Sequence, residues 1–588
     1  MPGRNGARMR SARRRGSATV LVGLMAGLAA CDGGAPLDPA RALPPTEASR
    51  LVNPLCTGTG GQTHAAATIN TAVTWAASGN PHTVTGMITL GSGGTLTLPP
   101  GVIVCFSAQT GLQSSGGRLV AQGSAAAPVV LTAFNPVDGW YGVSLQGTPP
   151  GTSYLTNARV EYATLYSTAV AAFGHPLVID STIVRQSGGG VRLEGRASTF
   201  IRSRVDTTTN RYIAAVTLGD SGRFEQSVIL RSAGVGLLIQ GTAGIRATGG
   251  RIEASGGIGI RAVHTTGIVG SGLPPVRVVG GASYPIETTA ALLRRLYDSP
   301  DGAYQDSLKG NARDTVIMLG GPLSANIYVR PGLPWHVKAP IEVQGSALRA
   351  RAASLLVLDP GVGITVSGSG RIDLRGTASS PVVLTADDPA RGWAGIVFDS
   401  IPPAASRIVS TRLEHVGYEY TAVESRNAHP VVVDSTVIRQ SGRAISLLAA
   451  GSRVSRTRVD TTLSSLGPAV ELGANVILES TRIRGSSREG VAIRASTVQV
   501  LSCEVLGSVT DGIVMDVATP VHDCNLVGNL GVGIRNLQPA STPAAYANAT
   551  GNWWGDAGGP TAPAGDGVAG AVTYSPWLTS PFVLPYVP

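Results

Sequence analysis

A parallel β-solenoid is the fold class that this sequence predicts, and three observations predict it. One segment occurs twice, as His-Pro-Leu-Val-Ile-Asp-Ser-Thr-Ile-Val-Arg-Gln-Ser-Gly at 175–188 and His-Pro-Val-Val-Val-Asp-Ser-Thr-Val-Ile-Arg-Gln-Ser-Gly at 429–442. Short apolar strands recur every 21–25 residues around both copies. The composition, with 77 glycines and 5% aromatic residues, suits ladders of small and aliphatic side chains. Repeats of this length indicate coils that stack on their neighbours.

Two families of short strands alternate along the chain. Their members are rich in β-branched residues, largely alternate between apolar and polar positions, and are bounded by Gly, Ser or Asp. The first family includes Gly190-Val-Arg-Leu, Ala215-Val-Thr-Leu, Ala444-Ile-Ser-Leu and Ala469-Val-Glu-Leu. The second includes Val178-Ile-Asp-Ser-Thr-Ile-Val and Val476-Ile-Leu-Glu-Ser-Thr-Arg-Ile. A helical pattern occurs at about 288–297, and the chain is therefore predicted to be all-β with two internally duplicated units.

The N-terminus predicts export and a lipid anchor. A basic leader with no acidic residue precedes a short apolar run at 17–30, which is too short for a membrane span and is typical of a signal peptide. Leu28-Ala29-Ala30-Cys31 matches the bacterial lipoprotein processing site. We therefore expect lipidation of Cys31, the membrane as a partner, and a cell-envelope location on the periplasmic or cell-surface face. The alternative is a plain signal peptide with an incidental cysteine.

The predicted domain organisation follows from these patterns. Residues 1–30 form the signal peptide, and residues 31–64 form a Pro- and Ala-rich tether with an N-terminal cap. The first β-helix unit spans 65–287, a connecting segment spans 288–329, and the second unit spans 330–540. Residues 541–588 form a C-terminal capping segment. Whether the two units form one rod or two lobes stays open at this level.

The charge balance bears on the class of partner. The formal net charge of +10 falls to +4 once the six arginines of the leader are removed. No run of Lys and Arg remains in the sequence that could follow a phosphate backbone. Nucleic acid is therefore not an expected partner.

The cysteines suggest two candidate disulfides. Cys503 and Cys524 stand 21 residues apart in similar contexts, so that coils of this length would stack them at about 4.8 Å, inside the range for a disulfide. A bond there and an unbonded, buried thiol ladder are both open. Cys56 and Cys105 are the remaining pair. The sequence has no Cys-x-x-Cys or His-x-x-x-His spacing, so no metal or other cofactor is expected from it.

Several motifs resemble the right-handed parallel β-helix repeat proteins of the pectate-lyase-like superfamily. They cover roughly residues 65–580 and include Gly94-Thr-Leu-Thr-Leu-Pro-Pro-Gly-Val-Ile-Val, Pro128-Val-Val-Leu-Thr-Ala, Trp140-Tyr-Gly-Val and Gly551-Asn-Trp-Trp-Gly-Asp. The resemblance implies a right-handed solenoid. It says little about activity, because the superfamily holds lyases, hydrolases, epimerases and adhesins.

The catalytic patterns of that superfamily are missing from the sequence. Arg-x-Pro-x-x-Arg and Trp-Ile-Asp-His, which pectate lyases carry, do not occur. His175 is followed by Pro rather than the Gly of the polygalacturonase pattern, and Asp387 and Asp388 lie in a predicted turn before Pro389. No catalytic residue is assigned, and the sequence favours a non-catalytic protein.

The remaining candidate sites are polar. A row on one solenoid face is predicted as a candidate ligand face, with closure of turns by stacked ion pairs as its alternative; its members are Asp180, Arg185, Asp206, Asp434, Arg439 and Asp460. Asp556 and Asp566 are candidate Ca²⁺ ligands, and turn formation is the alternative for both.

Three functions follow: a lipid-anchored envelope protein that binds glycan or another extracellular partner along the solenoid face, a polysaccharide lyase or glycoside hydrolase, and a structural or adhesive spacer. An enzyme is expected to gather charged side chains in one cleft of the stacked coils.

Overall fold

The computed structural model describes residues 52–166, 168–263, 267–268, 274–297, 303–323, 325–399, 401–402 and 404–584. The predicted signal peptide, Cys31 and the tether up to residue 51 lie outside the described residues. The fold is an all-β, right-handed parallel β-solenoid of about 20 turns, which confirms the predicted all-β solenoid. Within the part of the chain that is described, no helix has the length and apolarity that crossing a membrane requires.

Three parallel sheets build the first half of the solenoid, and each coil contributes one strand to each of them. Sheet I contains Thr63–His64, His82–Val84, Ile103–Phe106, Val129–Ala133, Ala158–Glu161, Ile183–Ser187, Arg204–Thr208, Val228–Ser232, Arg251–Glu253 and Arg277–Val279. Sheet III contains Ala72–Thr74, Thr95–Leu98, Arg118–Gln122, Ser153–Thr156, Leu177–Asp180, Thr199–Ile201, Arg223–Glu225, Ala243–Thr248 and Gly267–Ile268.

Sheet II lies between sheets I and III in the order of the chain and continues into the second half. Its strands are Ala67–Ile69, Ile88–Leu90, Leu112–Ser115, Val143–Gln146, Val170–Phe173, Val191–Leu193, Val216–Leu218, Leu237–Ile239, Ile260–Ala262, Ile286–Thr288, Val316–Met318, Trp335–Val337, Leu355–Leu358, Val382–Ala386, Thr411–Glu414, Val437–Ser441, Arg458–Thr462, Arg482–Arg484, Glu504–Leu506 and Asn525–Val527.

Two further sheets complete the coils of the second half. Sheet IV contains Gly321–Leu323, Ile341–Val343, Ile364–Ser367, Ile396–Asp399, Thr421–Ser425, Arg443–Leu447, Val470–Leu472, Val491–Ile493, Ile513–Met515, Ile534–Asn536 and Val568–Ala569. Sheet V contains Ile327–Val329, Ala347–Arg351, Arg371–Arg375, Ser406–Val409, Val431–Asp434, Arg453–Ser455, Ile477–Glu479, Gln499–Leu501 and Val521–His522.

The remaining elements are short. Ala547–Asn548 pairs with Val572–Thr573 in a small separate sheet near the C-terminus. An α-helix spans Ala290–Leu296, inside the helical pattern at 288–297. The 3-10 helices are Pro54–Cys56, Ala77–Gly79, Ala303–Leu308 and Pro543–Ala545.

The core consists of in-register ladders of aliphatic side chains, one rung per coil. Alternate residues of each strand point inward, and register places identical positions of successive coils above one another. One buried ladder of sheet I contains Val104, Leu131, Val160, Val184, Val205, Ile229 and Ile252. Burial of these rungs along the whole stack supplies the main stabilisation of the fold.

The connecting segment holds one coil in which helices replace two strands. Sheet II runs unbroken through it, since Ile286–Thr288 pairs with both Ile260–Ala262 and Val316–Met318. The α-helix Ala290–Leu296 contacts strands of sheets III and IV, and the 3-10 helix Ala303–Leu308 contacts sheet I. Gln305 of that 3-10 helix donates to the carbonyl of Tyr328 in sheet V. Sheet IV therefore continues the side occupied by sheet III, and sheet V continues the side of sheet I.

The two copies of the repeated segment lie on different sides of the stack. The first copy forms Leu177–Asp180 in sheet III and Ile183–Ser187 in sheet I. The second copy forms Val431–Asp434 in sheet V and Val437–Ser441 in sheet II. Because sheet V continues the side of sheet I, corresponding strands are displaced by one side of the three-sided coil.

The turn inside the repeated segment explains why both copies contain Asp-Ser-Thr. Ser181 and Ser435 adopt left-handed backbone conformations with φ of 50° and 49°. The next residues, Thr182 and Thr436, turn inward, and each hydroxyl donates to the carbonyl two residues before it at 2.9 Å. The Asp-Ser-Thr sequence therefore closes a tight corner between two strands.

Candidate functional site

The predicted ligand-face residues do not form one row, which corrects that prediction. They lie on sheets I, II, III and V, because the Asp-Ser-Thr corner separates members of each copy and the second copy is displaced by one side. Each has an oppositely charged partner, in the pairs Asp180–Arg202, Arg185–Glu161, Asp206 with Arg204 and Arg231, Asp434–Arg456, Arg439–Glu414 and Asp460–Arg458. Burial alone would raise the pKa of Asp206, but its arginine partners and Thr207 outweigh it and lower that pKa.

A basic groove lies on the outer face of sheet V, and we call it the arginine groove. It comprises two adjoining cavities of about 350 and 390 Å³, which share Arg375 and Arg407. Its arginines are Arg349, Arg351, Arg371, Arg375, Arg407, Arg453 and Arg456, and its acids are Asp373, Asp434 and Glu479. The lining thus carries an excess of four positive charges, as large as the net charge predicted for the whole mature chain.

Coil stacking creates this groove from residues that are distant in sequence. Arg349, Asp373 and Arg407 are register partners on three successive strands of sheet V. Arg351 and Arg375 form the neighbouring column. Strands in such a stack lie about 4.8 Å apart, so the guanidinium groups are presented at closely spaced levels along the solenoid.

Three of these guanidinium groups lack a carboxylate partner. Arg349 donates to the Tyr328 hydroxyl at 2.6 Å and lies over its ring, and its buried Nε has no acceptor. Among the described residues, no carboxylate forms an ion pair with Arg371 or Arg407. Arg375 differs from these three arginines, because it already forms an ion pair with Asp373 at 2.6 Å.

The arginine groove suits a ligand with planar anionic groups. A guanidinium presents donors in a rigid fork that matches carboxylate, sulfate and phosphate oxygens in pairs. Arginines without a carboxylate partner keep more of those donors for a ligand than arginines that already hold a carboxylate. The arginine groove is therefore suited to bind an anionic ligand along successive coils.

A second polar cluster lies at the corner between sheets II and IV, and we call it the corner cluster. It contains His336, Lys338, Asp359 and Asp387, at the ends of three successive strands of sheet II. His336 Nε2 lies 2.7 Å from Asp359 Oδ1 and 3.6 Å from Asp387 Oδ1, and Lys338 Nζ lies 3.3 Å from Asp359 Oδ1. The neighbouring Gly361 lines a cleft of about 510 Å³.

Sequence reasoning missed both features. The sequence predicts a turn at Asp387, and the arginines are too dispersed along the chain to form a basic run. The signal that was available is the coil period: His336, Asp359 and Asp387 follow one another at 23 and 28 residues, close to one coil each. Polar residues that recur at this spacing are expected at one corner of the stack.

Buried histidines begin each copy of the repeated segment. His175 Nε2 lies 2.7 Å from Ser153 Oγ, and His429 Nε2 lies 2.8 Å from Ser406 Oγ. All four residues are fully buried, so these Ser–His pairs are structural rather than nucleophile–base pairs open to substrate. Burial lowers the pKa of His175, and it lowers that of His429 to about 4.

The cysteines differ in their bonding. Cys56 and Cys105 form a disulfide with a Cα–Cα distance of 5.9 Å, which ties the N-terminal 3-10 helix to sheet I. Cys503 and Cys524 are unbonded, buried thiols. The backbone N–H of Cys503 donates to Cys524 Sγ at 3.3 Å, and burial raises the pKa of Cys524. In-register rungs point their Cβ atoms in parallel, whereas a disulfide needs them to converge.

The two candidate Ca²⁺ ligands serve the backbone instead. Asp556 Oδ1 accepts from the N–H of Gly558 at 2.7 Å. Asp566 accepts from the N–H groups of Gly528 and Asn529 and from the Asn529 side chain. Neither acid belongs to a group of three metal-ligating side chains within the described ranges.

The chain was compared with protein families, curated proteins and solved structures. No protein-family model matches the chain, and no curated protein matches it. Among solved structures, it is similar to the PL6 family alginate lyase AlyGC, with 9% identity, a TM-score of 0.21, and coverage of 89% of this chain and 96% of the lyase. A mutant of AlyGC gives 10% identity, a TM-score of 0.18, and coverage of 85% and 98%.

Proposed function

We propose that this protein is a non-catalytic, lipid-anchored protein of the bacterial cell envelope that binds an anionic glycan along the arginine groove. The observation that carries the proposal is that the guanidinium groups of Arg349, Arg371 and Arg407, on successive coils, have no carboxylate partner among the described residues. The lipid anchor on Cys31 and the envelope location rest on the leader and its Leu-Ala-Ala-Cys site. A right-handed β-helix of the pectate-lyase-like kind is the scaffold in this proposal.

The lining of the groove favours glycan over nucleic acid. Proteins that hold single-stranded nucleic acid combine positive charge with aromatic side chains on which the bases stack. The residues that line the two cavities are arginines, three acids and small or aliphatic residues. A linear glycan with carboxylate or sulfate groups needs the guanidinium forks and no stacking surface.

The proposal is tested by binding to defined polymers. The mature chain is titrated calorimetrically with a polyuronate, a sulfated glycan, a neutral glycan and single-stranded DNA. We expect binding to an anionic glycan that weakens as salt rises, and no binding to the neutral polymer. The double variant Arg371→Gln/Arg407→Gln should bind about 30-fold more weakly, at about 1 kcal/mol for each exposed charge-assisted contact.

A matched control separates the groove from general charge. Arg277 and Arg484 are exposed, lie on sheets I and II, and form no ion pair among the described residues. Arg277→Gln/Arg484→Gln removes the same charge outside the groove and should keep wild-type affinity. Equal loss in both double variants, or preferential binding of DNA, contradicts the proposal. Absence of binding to every polymer favours the spacer alternative.

The second candidate function is a polysaccharide lyase or glycoside hydrolase, and the corner cluster favours it. An imidazole hydrogen-bonded to a carboxylate is a pattern of general acid–base catalysis, and Gly361, two residues after Asp359, lines a cleft. The same polymers are incubated with the protein and assayed for new unsaturated or reducing ends. Product that forms with wild type and is lost in His336→Gln would establish this alternative.

A further inference from the structure

The corner cluster offers a mixed set of metal-ligand atoms. One imidazole nitrogen of His336 and one carboxylate oxygen from each of Asp359 and Asp387 lie within 4.8 Å of one another. The Asp387 oxygen lies 3.6 Å from His336 Nε2, which is too long for a hydrogen bond. The Asp387 carboxylate accepts no hydrogen bond from the described residues, so its oxygens are available to a ligand.

We propose that the corner cluster binds a divalent transition-metal ion of the zinc class through His336, Asp359 and Asp387. Zinc takes imidazole nitrogen and carboxylate oxygen ligands with bonds of about 2.1 Å, which places tetrahedral ligand atoms roughly 3.4 Å apart. The observed separations of 2.7 and 3.6 Å bracket that value. Three protein ligands leave one position of a tetrahedral zinc site open.

The solenoid holds the three ligands in place through its backbone. Each ligand lies in or directly after a strand of sheet II, and ladder hydrogen bonds continue past the strand ends. The N–H of Asp359 donates to the carbonyl of Val337 at 2.9 Å, and that of Asp387 donates to Leu358 at 2.8 Å. The ligand positions are therefore fixed by coil stacking, and the metal orders little more than side-chain rotamers.

Lys338 is the competing cation at this site. Its ammonium lies 3.3 Å from Asp359 Oδ1, the same oxygen that contacts His336. Two carboxylates and one ammonium carry a net charge of −1, so a divalent cation is electrostatically favoured. Its binding requires the ammonium to move away from Asp359, and this movement weakens the affinity without abolishing it.

The test is a calorimetric titration of the mature, chelator-treated chain with ZnCl₂. We expect one Zn²⁺ per chain, with no comparable binding of Mg²⁺, which prefers an all-oxygen octahedral site. His336→Gln should weaken binding about 100-fold or more, since loss even of groups that only support a ligand costs 10–100-fold. Lys338→Met should bind zinc several-fold more tightly than wild type, which a purely structural ion-pair cluster would not do.

Two further measurements test whether His336 binds the metal and whether each variant is folded. Co²⁺ substituted for Zn²⁺ should give visible absorption bands that disappear in His336→Gln and persist in His522→Gln, a control histidine at the C-terminal end of the stack. Far-ultraviolet circular dichroism of each variant confirms that the solenoid is folded. Failure of wild type to bind zinc overturns the proposal, and so does zinc binding that His336→Gln leaves unchanged. This inference is independent of the arginine groove.

Discussion

Acid should destabilise the coils around His429, and the buried imidazole sets the size of the effect. His429 is fully buried against Ser406, and burial lowers its pKa from 6.5 to about 4. The unfolded chain therefore binds a proton below about pH 6.5 that the folded chain binds only near pH 4. Stability is unaffected above pH 6.5 and falls as the pH falls through this window, because the unfolded state takes up more protons.

The magnitude follows from the shift. A difference of about 2.5 pKa units corresponds to about 3 kcal/mol at 1.36 kcal/mol per unit, and about 2 kcal/mol of this is already lost at pH 5. His175 occupies the corresponding position and its pKa is shifted in the same direction. Solenoids unfold in local steps, so the loss should be concentrated in the coils that contain each histidine.

Hydrogen exchange followed by mass spectrometry resolves this locally. Peptides that contain Ser406 and His429 are compared at pH 7.5 and pH 5, after correction for intrinsic exchange rates. His429→Gln keeps a polar group beside Ser406 but cannot titrate, so its protection should change less between the two pH values than that of wild type. His522→Gln is the matched control. If wild type and His429→Gln lose the same protection on acidification, the buried-imidazole reasoning is wrong.

Three other perturbations have calculable outcomes. Replacing Cys56 and Cys105 by Ser opens a loop of 49 residues and should cost up to about 4 kcal/mol, measured as faster proteolysis of the N-terminal coils. Trp393→Phe removes a buried donor of a 2.8 Å hydrogen bond and should cost about 1–3 kcal/mol in chemical unfolding. Gly395→Ala would place a Cβ 2.0 Å from a carbonyl oxygen at φ +78°, and should lower the thermal midpoint strongly. Gly345→Ala, whose Cβ meets nothing nearer than 4.0 Å, should not.

The fold was predictable because its information is local and periodic. Each strand and corner is specified within a few residues, as in the Asp-Ser-Thr corner at Ser181, and the coil period then dictates stacking. The helical pattern at 288–297 was also visible. The sequence did not show that this helix occupies one side of a coil while sheet II runs past it. The reason is that Ile286–Thr288 pairs with Val316–Met318, so the pairing skips the residues between them.

The candidate sites were harder to predict because they exist only between coils. Arg371 and Arg407 lie 36 residues apart and meet in the arginine groove through the register of sheet V. The predicted ligand face failed for a related reason. Asp180 and Arg185 are close in sequence, but the Asp-Ser-Thr corner lies between them. They therefore lie on different sheets.

The one-side displacement between the two copies of the repeated segment determines which surfaces could act together on one straight polymer. The surfaces of the two copies could bind one straight polymer together only if they lay along one line, because avidity requires simultaneous contact. In this protein the two surfaces face different directions. Their chemistry also differs: Arg407, which follows the histidine-bonded Ser406, is matched by Tyr154 after Ser153. The two copies of the segment therefore present no repeated surface along one straight line, and the chemistry of each surface can differ.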